Sequence, residues 1–139
     1  MANDDVIIPA NILRSIVPAP LGRLTSTEFS INQKDVIEFV RDVCGLCEAK
    51  DATMHLAVGI VRLANLVQFY RVRAIAVGLT GNEADSLAAA ERSIRELVLM
   101  LPGDWHLLLM AGDPREASVI RIAREKDGPA IVVPCHRYT

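Results

Sequence analysis

Residues 52–71 read as a helix that is apolar almost all round. Met54, Leu56, Ile60, Val61, Leu63, Leu66, Val67 and Phe69 cover most of its circumference, and His55, Arg62, Asn65 and Gln68 leave only a thin polar stripe. A helix of this kind is buried on most sides. In a chain of 139 residues that requires a covering sheet or a partner subunit. Composition fits a packed domain: 51% of residues are hydrophobic and 23% charged, which excludes a disordered or fibrous chain. The net charge of −2 gives no globally polybasic nucleic-acid module. Aromatic residues at 4% are too few for a carbohydrate platform or a base-stacking surface.

The elements around this helix follow from periodicity and from start and stop residues. Residues 1–30 carry Pro9, Pro18 and Pro20 around short apolar runs and read as an arm, extended and then briefly helical, that wraps a neighbour or a second subunit. A helix is expected over 33–49, with Asn32 as its cap, Asp35 in its first turn, and Val36, Phe39, Val40, Val43 and Cys47 on one face. The run 74–79 reads as a strand covered on both faces. Thr80-Gly81-Asn82-Glu83 fits a capping box and opens a helix to about Met100, which Pro102-Gly103 stops. Trp105 to Met110 reads as a second strand. Asp113-Pro114-Arg115-Glu116 reads as the start of a helix ending near Lys126, and Ala130 to Val133 as a third strand.

Strand, helix, strand, helix, strand at these lengths implies two βαβ units. The expected fold is a small α/β domain over residues 31–139: three layers, with a short, mainly parallel βαβαβ sheet preceded by two helices. Ligands of such a sheet bind beyond the carboxyl ends of the strands. That rim collects Gly78, Thr80, Gly81 and Asn82, then Gly112 and Asp113, then Pro134 to Arg137. The first two loops lead into expected helix N-termini, where free N–H groups favour a nucleotide or another small anion.

The acidic N-terminus lacks the basic and apolar regions of a signal peptide. The apolar stretch from Met54 to Leu79 is interrupted by Arg62, Arg71 and Arg73, too many charges for a membrane span. The three cysteines, Cys44, Cys47 and Cys135, are an odd number and point to reduced thiols in the cytoplasm. Cys44 and Cys47 form a C-x-x-C late in an expected helix, with no second pair, and read as packed core cysteines. No metal site and no cofactor are implied. His106 reads as structural and His55 as a polar helix-face residue. Arg115, Arg121 and Arg124, with Glu116 and Glu125 between them, read as the solvated face of the fourth helix.

Pro134-Cys135-His136-Arg137, preceded by the apolar Ala130 to Val133, resembles the active-site motif of the O6-alkylguanine-DNA alkyltransferases. The likeness runs back through Ala111-Gly112-Asp113-Pro114, Ala117 and Ala123, about 30 residues in all, to that family's loop and recognition-helix alanines. It implies DNA as partner, a base flipped from the duplex, Cys135 as alkyl acceptor and His136 as its water-linked base. In this chain Ser118 stands where the family has its arginine finger, and Asp127 where it has a hinge asparagine.

Three readings follow. The first is a non-catalytic binding or assembly domain, oligomeric or part of a complex. The second is anion or nucleotide binding at the glycine-containing loops. The third is alkyltransferase-like chemistry at Cys135.

Overall fold

The computed structural model describes residues 33–44, 50–109, 112–116, 118–125 and 128–135. Helix α1 spans Gln33–Cys44, α2 Lys50–Ala76 and α3 Gly81–Met100. Strands β1 (His106–Leu109), β2 (Ile120–Ala123) and β3 (Ala130–Val132) follow. The expected N-terminal arm lies outside the described residues.

α2 is the axis of the molecule. Its 27 residues span about 40 Å, and both other helices pack against it. Ala57, Ile60, Val61, Ala64 and Val67 are buried in the core that α2 shares with the other helices and the sheet. α1 contributes Val36, Phe39, Val40 and Val43, and α3 contributes Ala90, Ile94 and Val98. A Cβ on Gly59 would lie 3.1 Å from Leu97 Cδ1, so a glycine at this position lets α3 approach closely. The turn between the two helices carries the capping box: Glu83 N–H donates to Thr80 Oγ1, and Thr80 N–H donates to Glu83 Oε1.

The sheet is a meander in the order β1-β2-β3, antiparallel throughout. Ile120, Ile122 and Val133 are buried against the helices, with Leu107, Leu109 and Ile131 partly so. Trp105 closes the core beside β1, and its Nε1 donates to Pro102 O at 3.2 Å.

The expected parallel βαβαβ sheet is therefore corrected, and two segments account for the difference. The apolar run 74–79 is no strand. α2 continues through Ala76 and ends where Gly78, at φ +81°, donates its N–H to Arg73 O. No proline interrupts Lys50–Ala76, so the helix runs on. Residues 73–78 are exposed, Ile75 at 59% and Val77 at 73%, instead of buried in a sheet. The second segment is 113–126. Asp113 does not cap a helix: its Oδ1 accepts the N–H of Arg115, and the Arg115 guanidinium grips both its oxygens. A turn follows, closed by Glu116 N–H on Asp113 O, and then β2. Ile120 and Ile122, alternating with Arg121, have the period of a strand. With the crossover helix gone, β1 and β2 join by a loop and must run antiparallel.

Candidate functional site

A cleft of about 510 Å³ opens between α1 and the outer edge of β3. α1 buries its apolar face, so its charged residues are left towards this opening. Asp35, Glu38 and Asp42, at positions i, i+3 and i+7, line one wall beside Phe39. All three carboxylates are exposed, and among the described residues none is held in an ion pair. The opposite wall is β3 itself, Ala130 to Val132, followed by Pro134 and Cys135, with Ser118 beside them.

The β2–β3 ladder fixes which way the backbone of that wall points. Val133 N–H donates to Ile120 O, and Arg121 faces Val132 while Ile122 faces Ile131. Hydrogen-bonded and non-hydrogen-bonded pairs alternate in an antiparallel ladder. Ile131 and Val133 therefore bond inward to β2. Ala130 and Val132 turn both N–H and C=O outward to the cleft, and among the described residues no strand pairs with them. The next outward position is Pro134, which has no N–H to offer. Its carbonyl already accepts Asn65 Nδ2 at 3.0 Å.

Two amides on α2 hold this end of the sheet. Asn65 Nδ2 donates to Val61 O at 2.8 Å as well as to Pro134 O. Gln68 Nε2 donates to Glu116 O at 3.0 Å, while its Oε1 is buried without a partner. Both residues are fully buried. They sit one turn apart, so one helix face fixes the β1–β2 connection and the segment after β3 together.

Cys135 packs against the core at the inner end of the cleft. Burial pushes its thiol up to about 12, so it is protonated at neutral pH. His136 lies outside the described residues. Cys44 ends α1, and Cys47 also lies outside the described residues. Among the described residues no three His, Cys, Asp or Glu side chains form a group suited to a metal ion.

No family model matches this chain, and no curated protein or solved structure is similar to it.

The other residues singled out from sequence do not converge on one rim. Gly78, Thr80, Gly81 and Asn82 form the α2–α3 turn, whereas Gly112 and Asp113 belong to the β1–β2 connection. The N-terminus of α3 is already served by its own anion, because Glu83 accepts from Thr80 N–H and pairs with Arg73. Hydrogen bonding to Thr80 and the Arg73 charge hold the Glu83 carboxyl below its usual range. The Gly112–Asp113 loop opens no helix, and Asp113 is engaged by Arg115, which lowers its carboxyl to about 2. Ala123 lies in β2, and Arg121 extends from the same strand to Ser118 O. Sequence reasoning missed Glu38 and Asp42. Their signal was the i, i+3, i+7 spacing with Asp35, opposite the apolar stripe of the same helix.

Proposed function

We propose that this chain is a small non-catalytic binding and assembly domain of the reducing cytoplasm, working as an oligomer or within a larger complex. One observation carries the reading. The outer edge of β3 offers the N–H and C=O of Ala130 and Val132 to an open cleft. An edge of this kind is a template for a strand from another chain. Burial raises the Cys135 thiol above its usual range, which disfavours the thiolate that a nucleophilic reading of the cleft needs and supports the binding reading. No described helix is long and apolar enough to cross a membrane.

The test uses Val132→Pro. The Val132 N–H points away from β2, so proline there leaves the β2–β3 ladder intact and removes one outward donor. Light scattering over a range of protein concentrations measures self-association. Fluorescence anisotropy with a panel of blocked hexapeptides of high β propensity measures capture of a foreign strand. We expect self-association or peptide binding, lost in V132P while the melting temperature holds. A chain that stays monomeric and binds no peptide, or a V132P variant that behaves like the parent, overturns the reading.

A further inference from the structure

We propose that the occupant of the α1–β3 cleft is an extended basic segment of a partner protein. It adds as a strand to β3 and sets Lys or Arg side chains against Asp35, Glu38 and Asp42. This rests on the strand-addition reading above and names the chemistry of the partner.

The backbone of the edge defines the shape of the ligand. Ala130 and Val132 offer two donors and two acceptors in the pattern an extended peptide satisfies, and Pro134 ends that pattern. A helix has no free backbone groups in its middle turns to answer them. The site therefore takes a short extended stretch, paired over about three residues.

The far wall defines its charge. Three carboxylates face the space beside the edge, and among the described residues no cation is paired with them. A cationic side chain set against this row gains charge attraction from it. The spacing fits as well. Asp35 to Asp42 covers seven residues of helix, about 10 Å along its axis. Every second side chain of an added strand faces the same way, about 7 Å apart. Two or three basic residues at alternate positions then span the acidic row. An acidic segment is rejected by the same row, which gives the edge a means of choosing among strands that its backbone alone lacks.

The probes are three labelled, end-blocked hexapeptides: Lys-Val-Lys-Val-Lys-Val, its serine counterpart and its glutamate counterpart. Binding to the full chain is followed by anisotropy at low and high salt, beside the variants V132P and D35N/E38Q/D42N. At 50 mM salt the lysine peptide is expected to bind about tenfold more tightly than the serine peptide, the size that three exposed ion pairs supply. The glutamate peptide is expected to bind least. The lysine advantage should vanish at 0.5 M salt and in the triple variant, while serine-peptide binding persists in both. V132P should remove binding of all three.

Equal binding of the lysine and serine peptides, still blocked by V132P, overturns the basic partner and leaves strand addition standing. Lysine-peptide binding undiminished in V132P means attraction by charge alone and overturns the inference. Loss of self-association on adding the lysine peptide identifies a second copy of this chain as the occupant and overturns it too. If no peptide binds and V132P changes nothing, the strand-addition reading fails with it.

Discussion

Ellman's reagent reports the state of Cys135 directly, because only the thiolate attacks a disulfide. In a C44S/C47S background Cys135 is the sole thiol of the chain. Its burial moves the thiol from 9.0 to about 12. At pH 8 that lowers the thiolate population about 10³-fold relative to an unshifted cysteine. A more basic thiolate is also a better nucleophile. With a Brønsted coefficient of about 0.45, three units return about 20-fold. The population effect wins, and native Cys135 should react about 50-fold more slowly than the same residue in guanidinium-unfolded chain. The contrast is read at 412 nm in one stopped-flow experiment with the unfolded protein as reference. A native rate equal to the unfolded rate, or above it, refutes the protonated thiol. It would also return Cys135 to the candidates for nucleophilic chemistry.

The same thiol ties stability to alkaline pH. Below about pH 9 both states keep the proton and nothing changes. Between about 9 and 12 the unfolded chain releases it and the native chain does not, so stability falls with a limiting slope of about 1.4 kcal/mol per pH unit. Urea melts across this window should show a shallower decline in Cys135→Ser, and parallel declines would count against the burial. The two amides of α2 should respond to different extents. Asn65→Leu abandons a buried carbonyl at Pro134 and should cost about 2–3 kcal/mol in chemical denaturation. Gln68→Met gives up one bond to Glu116 O but also removes a buried oxygen that had no partner, so the change should stay within about 1 kcal/mol. Equal losses in the two variants would contradict this assignment.

How far the chain could be read in advance depended on whether the deciding signal was local. The α3 start was legible because Thr80 and Glu83 complete their bonds within four residues. β1 and β3 were legible as apolar runs of strand length bounded by Gly and Pro. The run 74–79 also read as a strand and instead forms the last turn of α2, through Ala76, and the turn after it, because periodicity cannot separate a short apolar run from the end of a long helix. The segment after Asp113 failed for another reason. Arg115 competes for the carboxylate that would have capped a helix, and the alternating Ile120 and Ile122 favour a strand. That one substitution of strand for helix turned a parallel sheet into a meander and removed the shared rim. The cleft was out of reach because it lies between residues about 90 positions apart, the acidic row of α1 and the edge of β3. The polar stripe on α2 was visible, but the exposed His55 and the buried Asn65 look alike in sequence.

The amide pair of α2 also bears on how the meander finds its alignment. Sliding β3 by one position along β2 would turn Ile131 and Val133 away from the core and withdraw the Pro134 carbonyl from Asn65. Hydrophobic burial and a single amide bond thus reject the same error. A slip by two positions keeps the apolar side inward but still withdraws the Pro134 carbonyl from Asn65, which marks it off from the correct pairing. In folding, the helical hairpin then serves as a gauge against which an otherwise ambiguous strand is measured.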